Sequence, residues 1–289
     1  MRIARIRAGG AETYGLVRDG RVATREEIAV RTGVPVPDGM RGFLFDGWPA
    51  EVERSSGRLR YETAEYELLA PVQRPGKIIC LAFNYEDHAR EQGIDPPDEP
   101  AVVLKPPTAL AGPGSDIVCP AFAGRLDYEA ELAVVIGRDC KDVAPGDAMG
   151  AVLGYMVLND VSAREIQERD GQFGRAKGFD TFAPCGPWIT TADEAGDPQD
   201  LRITTRVNGE TRQDSSTSMM HVKIPEIISG LSRVMTLERG DVISTGTPAG
   251  VALGGHPGGY LRDGDMVEAG IEGLGTLRNR VRITGGAGR

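Results

Sequence analysis

Carboxylates that follow or interrupt apolar segments are the residues of this sequence best suited to hold a metal ion. Glu129 and Glu131 belong to the segment from Asp127 to Ile136, whose β-branched residues and following glycine predict a strand. Side chains alternate along a strand, so both carboxylates project from one face with Cα atoms about 6 to 7 Å apart. An isolated pair of this kind usually lies on a solvated face. Here the apolar run from Leu132 to Ile136 indicates burial on both faces, where unpaired carboxylates are costly.

A third acid, Asp160, follows a second apolar segment that runs from Val152 to Leu158 and predicts another strand. The simplest interpretation of Asp160 is a helix cap. Ser162 and Glu165 already have the spacing of a capping box for the next helix, which leaves Asp160 available for another role. Three carboxylates in a chain with only 3 histidines predict an oxygen-only site, which favours Mg²⁺, Mn²⁺ or Ca²⁺ over zinc.

A histidine and a glutamate share one face of a predicted short helix that is capped by Asn84 and stops at Gly93. His88 and Glu91 stand at positions i and i+3, so the glutamate can orient the imidazole and raise its basicity. Most pairs with this spacing are surface contacts worth a few tenths of a kcal/mol. The following stretch from Gly93 to Pro100, rich in proline and acids, is predicted to be a mobile lid.

Two glycine-rich segments are further candidates for ligand contact. Lys177 lies in a predicted loop over residues 171–180 whose glycines allow close approach to a ligand, although most such lysines are simply solvated. The turn from Thr245 to Gly250 follows a predicted strand over Val242 to Ser244. It lacks the Gly-Lys-Ser/Thr ending of a phosphate-binding loop, so we reject nucleotide binding.

The composition predicts a mostly β protein with α+β architecture. Thirty-nine glycines and nineteen prolines in 289 residues indicate many short strands joined by turns. Asn208-Gly209 and Asp263-Gly264 have the residue types of tight hairpin turns. Clear helical patterns are few.

A change of pattern near residue 73 predicts two domains, 1–73 and 74–289. The first part is β-rich, with a glycine- and proline-rich middle from Gly33 to Gly39, and it ends in a predicted linker from Pro71 to Gly76. All the candidate chemistry lies in the second part.

Several protein classes are excluded by composition and patterning. A net charge of −9 without a concentrated basic face argues against nucleic acid, while an anionic small molecule remains possible if a bound cation reverses the local charge. No apolar run is long enough to span a membrane. The segment from Met1 to Arg7 alternates apolar and basic residues like an edge strand and does not resemble a signal peptide, so a cytoplasmic location is expected. The four cysteines form no C-x-x-C pair and are interpreted as reduced core residues.

Taken together, five motifs resemble the fumarylacetoacetate hydrolase family in the family's order. They cover the chain from about residue 77 onward, and each is weak alone. The motifs are Asn84-Tyr85-x-x-His88-Ala89-x-Glu91, Asp127-Tyr128-Glu129-Ala130-Glu131-Leu132, Asn159-Asp160-Val161-Ser162-Ala163-Arg164, Lys177-Gly178-Phe179-Asp180 and Thr245-Gly246-Thr247-Pro248-Ala249-Gly250.

The resemblance implies a mixed β-roll preceded by a small β-rich N-terminal domain, usually in a homodimer, with Mg²⁺ or Mn²⁺ held by three acids. The family's functional residues match eight positions here. They are the metal ligands Glu129, Glu131 and Asp160, the catalytic His88, Glu91 and Lys177, and the substrate-contacting Gln167 and Thr247. This chain departs from the family at Ala82-Phe83, where many relatives have Gly-Arg or Gly-Leu, so a carboxylate contact from an arginine is not expected there.

The resemblance favours a hydrolase of the acylpyruvase type that cleaves a carbon–carbon bond in a 2,4-dioxo acid. In this hypothesis His88 and Glu91 activate water, while the metal and Lys177 stabilise the enolate. Decarboxylation of a 2-oxo diacid such as oxaloacetate, or isomerisation of a 2-hydroxymuconate-type dienol, needs the same enolate chemistry and remains an alternative. A remote alternative is a metal-stabilised binding protein without catalytic activity.

Overall fold

The computed structural model describes residues 1–34, 52, 56–62, 65–99 and 101–285 of the chain. Among these residues, no helix is both long and apolar enough to cross a membrane. Most of the predicted segment from Gly33 to Gly39 lies outside the described residues.

Strands dominate the described structure, which confirms the predicted α+β, mostly β fold class. The strands are β1 Arg2–Ala8, β2 Ala11–Arg18, β3 Arg21–Thr24, β4 Glu67–Leu69, β5 Ile78–Ala82, β6 Ala101–Lys105, β7 Leu110–Ala111, β8 Ile117–Pro120, β9 Leu126–Asp127, β10 Ala130–Ile136, β11 Val152–Asn159, β12 Ser162–Ala163, β13 Ala183–Thr191, β14 Arg202–Val207, β15 Glu210–Ser216, β16 Val242–Ser244, β17 Met266–Ile271 and β18 Gly275–Thr284. The helices are α1 Arg25–Thr32, α2 Glu86–Glu91, α3 Pro145–Ala148, α4 Arg164–Asp170, α5 Gly174–Lys177 and α6 Ile224–Val234.

A large mixed sheet runs in the order β3-β2-β1-β13-β11-β10-β16-β5-β6 within the described residues, with β4 and β7 paired to β1 and β13. Strand β10, in the interior of this sheet, is apolar on both faces because each face covers a separate core. Leu132 and Val134 pack in the core that includes Ile227 of helix α6, while Ala133 and Val135 pack in the core that includes Ile3. The prediction of burial on both faces is confirmed.

A second sheet has the order β15-β14-β17-β18-β8, and β9 pairs with β12. Residues of β14, β17 and β18 pack in the same core as Leu132, which places the second sheet against the first. The three candidate metal ligands therefore lie in or next to strands β10 and β11 of the large sheet.

The N-terminal strands join the large sheet. Strand β1 pairs with β2 along one side and with β13 and β4 along the other, so the prediction that residues 1–7 form an edge strand is wrong. Both faces of β1 are covered: Ile3 packs in one core, Ala4 and Ile6 pack in a smaller cluster on the opposite face, and the arginines are half-buried. The division at residue 73 stays a prediction. The predicted linker from Pro71 to Gly76 does lack helix and strand.

Turn predictions had mixed outcomes. Asn208 and Gly209 connect β14 to β15 as a hairpin, as predicted. Asp263 and Gly264 also lie in a turn, but the preceding Leu261 pairs with Leu126 instead of β17, so this hairpin prediction is wrong. Helix α6 was not predicted, although Pro225 near its start and apolar residues at three- and four-residue spacing are helix signals.

Candidate active site

The three predicted metal ligands come together in the interior. Glu129, Glu131 and Asp160 are buried, and one carboxylate oxygen from each lies within 4.8 Å of the others. Pairing of β10 with β11 puts Ala130 opposite Asn159, so the acids beside this pair become neighbours. The predicted continuous strand from Asp127 is interrupted at Tyr128 and Glu129, because the Glu129 amide donates to the Asn159 side chain (3.0 Å) and leaves the regular ladder.

Three buried cations surround these acids. Lys177 Nζ donates to Glu129 Oε2 and to Asp160 Oδ2, both at 2.7 Å. Arg164 bridges Glu129 Oε1 and Asp127 Oδ2. Burial opposes ionisation of Glu129, but Lys177 and Arg164 outweigh it and lower the pKa of this carboxyl to about 2. The third cation, Lys105, lies 2.6 Å from Asp160 Oδ1.

Lys177 differs from the sequence-based prediction in one way: it ends the short helix α5 and is not in a loop. Its side chain is buried, unlike that of most lysines in glycine-rich segments. Burial alone would lower the pKa of Lys177, yet Asp160 and Glu129 raise it above the ordinary lysine value. The lysine is therefore a fixed positive charge between two of the candidate ligands.

Among the described residues, Glu131 is the one of the three acids that forms no ion pair with a lysine or arginine. Its Oε2 accepts hydrogen bonds from Ser244 Oγ (2.6 Å) and from the amide of Gly246 (3.0 Å). Burial and then repulsion by Asp160 and Glu129 raise the pKa of Glu131 well above its ordinary value. Such an oxygen cluster fits a divalent cation, which would supply the missing positive charge.

The sequence argument that freed Asp160 from a capping role used the wrong mechanism. Ser162 lies in strand β12, and its hydroxyl donates to the Asp160 carbonyl (3.1 Å). Helix α4 begins after Ala163 without a side-chain cap, so the predicted capping box is absent. Asp160 follows directly after the end of β11, and its carboxylate contacts Lys105 and Lys177 instead of a helix terminus.

The turn over residues 245–250 positions groups from several strands. Besides the Gly246 contact to Glu131, the Thr247 hydroxyl donates to the Ala130 carbonyl (2.9 Å) and accepts from Gln213 Nε2 (2.8 Å). Gly250 donates its amide to Glu91 Oε1 (2.9 Å). This turn thus joins the carboxylate cluster to the predicted histidine–glutamate pair.

His88 and Glu91 form the predicted pair on helix α2, with Nδ1 and Oε2 separated by 3.2 Å. A carboxylate beside Nδ1 favours a proton on that nitrogen, which leaves Nε2 as the proton acceptor. Asn84 is not the helix cap: its side chain contacts Val222 and the Thr245 carbonyl. Residues 93–99 form neither helix nor strand, Pro100 lies outside the described residues, and lid movement stays a prediction.

The two predicted substrate contacts line the same cavity as the acids, the lysine and His88. Gln167 Oε1 accepts from Arg164 (2.9 Å), which leaves its amide NH₂ as the group able to donate to a ligand. The hydroxyl proton of Thr247 is directed at Ala130, so this hydroxyl can only accept from a ligand unless it rotates.

The sequence analysis did not single out Lys105 or Asp127, two charged residues that contact the site, or the apolar residues that line the cavity. Lys105 was not singled out, although a lysine that ends an apolar strand before two prolines is a possible signal. Asp127 was quoted only within a motif. It is fully buried and accepts from Arg164 and from the amides of Ala252 and Leu253. No local pattern predicts such partners, because they come from distant segments of the chain.

The chain matches a known protein family over most of its length. The family model described as the C-terminal part of fumarylacetoacetate (FAA) hydrolase matches residues 77–282. The chain belongs to this family. The oxaloacetate tautomerase YisK of Bacillus subtilis is 43% identical over 239 residues, covering 81% of this chain and 79% of the relative. The family's characterised relatives are enzymes, including hydrolases, isomerases and tautomerases.

Two solved structures in this family carry different activities in their names. A 5-carboxymethyl-2-hydroxymuconate delta-isomerase from Mycobacterium smegmatis is 40% identical, with a TM-score of 0.78 and coverage of 99% of this chain and 100% of that chain. A maleylpyruvate hydrolase from Sphingobium sp. SYK-6, in complex with manganese(II) and pyruvate, is 35% identical with a TM-score of 0.79, covering 98% and 99%. The family is thus clear, while its members differ in reaction.

Proposed function

We propose that the protein is a divalent-metal-dependent hydrolase that cleaves a carbon–carbon bond in a 2,4-dioxo acid of the acylpyruvate type. The observation that carries this proposal is the carboxylate cluster with its raised pKa at Glu131, placed in one cavity with His88, whose Nδ1 is paired with Glu91. Such a site combines a place for a cation with a separate base.

Glu129, Glu131 and Asp160 would hold the ion. Glu131 Oε2 is already engaged by two donors, and Lys105 occupies one side of Asp160. The three ligands would all be carboxylate oxygens, which suits Mg²⁺ or Mn²⁺. When bound, the cation would fix the 1-carboxylate and 2-oxygen of the substrate and stabilise negative charge that develops there.

The protein's own residues would do the rest of the chemistry. His88, oriented by Glu91, would take a proton from water through Nε2 as the water attacks the C4 carbonyl. The bond between C3 and C4 then breaks, releasing a carboxylic acid and the enolate of pyruvate, which takes up a proton at C3. Lys177 would stabilise the enolate charge, and Gln167 would donate to a substrate oxygen.

Tautomerisation, isomerisation or decarboxylation of a 2-oxo diacid is the second candidate. It is supported by the similarity to the Bacillus subtilis oxaloacetate tautomerase and to the delta-isomerase. These reactions use the same acids and a proton-transfer group but no attacking water.

A second copy of the chain is proposed as partner, because the family resemblance implies a homodimer.

Product analysis in oxygen-18 water tests the proposed reaction. Acylpyruvates, oxaloacetate and a 2-hydroxymuconate are each incubated with the protein and Mg²⁺ or Mn²⁺. The proposal predicts one labelled oxygen in the carboxylic acid that an acylpyruvate releases. Turnover of the diacids alone, with no labelled acid from any acylpyruvate, would contradict hydrolysis and favour the second candidate.

A further inference from the structure

We propose that the substrate has a single carboxylate and an uncharged, apolar acyl group, and that Phe83 is the residue that selects it. This inference rests on the proposed function and narrows its substrate. It separates this chain from enzymes whose substrates carry a second carboxylate at the far end.

Hydrocarbon side chains make up part of the cavity lining. They are those of Leu81, Ala82, Phe83, Val103, Phe173 and Leu253, and they share the lining with the acids and cations. An acyl chain would lose water-exposed surface against these side chains, whereas a carboxylate would lose hydration without gaining a partner.

Phe83 is held over this cavity by unusual backbone geometry. Its φ of +60° lies in the left-handed region, which bulky residues rarely adopt. The ring stacks on His88 with a centroid distance of 6.0 Å and an interplanar angle of 12°, and it meets Phe173 edge-on at 6.4 Å. The aromatic ring therefore stands beside the candidate base, where the reacting acyl carbonyl would lie.

The cations near the cavity are already engaged. Arg164 contacts Asp127, Glu129 and Gln167 through Nε and both terminal nitrogens. Lys177 holds two acids, while Lys105 contacts Asp160 and the carbonyls of Val161 and Phe182. Among the described residues that line the cavity, the arginines and lysines are Arg164 and Lys177 alone. A second carboxylate on the substrate would therefore meet no arginine or lysine in the lining that is not already paired.

Charge balance leads to the same conclusion. The site contains four carboxylates, which are Asp127 and the three candidate metal ligands. They are paired with three cations, Lys105, Arg164 and Lys177, so a bound divalent ion would change the net charge of the group from −1 to +1. One substrate carboxylate neutralises it. Glu91 adds a negative charge beside His88, which makes a second carboxylate still less favourable.

The first test compares two ligands of similar shape on the Mn²⁺-loaded protein. Calorimetry would measure binding of 2-oxohexanoate, which ends in an apolar tail, and of 2-oxoglutarate, which ends in a carboxylate. We expect 2-oxohexanoate to bind at least about tenfold more tightly, because a desolvated unpaired carboxylate is disfavoured. Equal binding, or tighter binding of 2-oxoglutarate, would overturn the proposal. This result is independent of which reaction the enzyme catalyses.

A charge introduced at Phe83 provides the second test. In F83R the preference is expected to move towards the diacid by about tenfold or more in the ratio of the two dissociation constants, because the arginine offers a carboxylate partner. F83L should keep the wild-type preference. The control V102R adds the same charge on strand β6 at a side chain that is 45% exposed and is outside this cavity lining.

The outcomes separate the two proposals. If V102R shifts the preference as much as F83R, the effect is one of overall charge and Phe83 is not the selecting residue. If acylpyruvates are hydrolysed but long apolar acyl groups react no better than diacids, only the inference about Phe83 fails. If oxygen-18 never enters a product acid, the proposed hydrolysis fails, while the ligand comparison still decides the selectivity of the cavity.

Discussion

The carboxylate cluster of Glu129, Glu131 and Asp160 lines one cavity together with His88, but the cluster and the His88–Glu91 pair are held in different ways. Acids of the cluster are fixed by side chains and amides from β6, α4, α5 and the turn after β16. His88 is oriented by one residue three positions away, which is itself anchored by Gly250. The cluster is held by buried ion pairs between residues that are far apart in the sequence, whereas His88 and Glu91 belong to the same short helix.

This difference predicts different responses to mutation. Loss of Glu129, Asp160 or one of the cations that pair with them leaves an opposite charge buried, so stability and metal binding should change together. Loss of His88 removes one imidazole from the cavity wall, so chemistry should change while the cluster remains intact. Each of the following experiments tests that separation.

The largest effect is expected when the divalent ion cannot bind. Chelation by EDTA, or the variant D160A, should lower kcat by roughly 10⁴-fold, because several kcal/mol of charge stabilisation at the substrate oxygens is lost. Steady-state kinetics with Mg²⁺ added back provides the measurement. Recovery of the chelated wild type but not of D160A is expected, and full turnover by metal-free protein would contradict a metal-dependent site.

Arg164 should show the strongest coupling between charge and stability. In R164L the buried Asp127 and Glu129 lose their shared cation, and we expect destabilisation of about 3 to 5 kcal/mol. Denaturant unfolding measures this quantity. The control R125L removes an exposed arginine that contacts Glu168 and should change stability by less than about 1 kcal/mol. Equal losses of stability in R164L and R125L would show that the buried ion pairs of Arg164 contribute no more to the free energy of unfolding than the surface pair of Arg125.

Substitution of His88 should lower the reaction rate without changing metal binding. H88A is expected to reduce kcat for acylpyruvate cleavage by roughly 10²-fold or more, because a general base is lost. Bound metal, quantified in the same samples, should remain near the wild-type level. Oxaloacetate decarboxylation needs no attacking water and should be largely retained. An equal loss on both substrates would assign His88 to substrate positioning or lid closure.

A smaller effect is expected in the pH dependence of the metal-free protein. Because the pKa of Glu131 is raised in the folded state, the folded chain binds more protons at Glu131 than the unfolded chain above the ordinary carboxyl range. Its contribution to stability therefore falls as pH rises towards the raised pKa, by at most about 1.4 kcal/mol per pH unit. Urea unfolding at several pH values should show this slope in wild type and a reduced slope in E131Q. Identical slopes would contradict a raised pKa at Glu131.

The same contrast explains what could be predicted from the sequence. The continuous apolar run of β10 and the i, i+3 spacing on α2 are local patterns, and they predicted the buried strand and the His88–Glu91 pair. The positions of the three acids in and after predicted strands suggested one oxygen-only site, and the motif resemblance matched the same three residues. Lys105 and the Asp127–Arg164 pair could not be derived locally, because their contacts span dozens of residues. The capping box at Ser162 failed because tertiary pairing with β9 took precedence over a local helix signal.

The most direct test of the metal site is a calorimetric titration of the metal-free protein with Mn²⁺, followed by pyruvate. The wild type is expected to bind one ion per chain and then pyruvate, while E131Q, which keeps the shape of the side chain but cannot be an anionic ligand, should bind Mn²⁺ at least about 10-fold more weakly. Without Mn²⁺, pyruvate should bind much more weakly to the wild type, since the acids repel an anion. Equal Mn²⁺ affinity in both proteins, or pyruvate binding that does not depend on the ion, would contradict the assignment of this cluster as the metal centre.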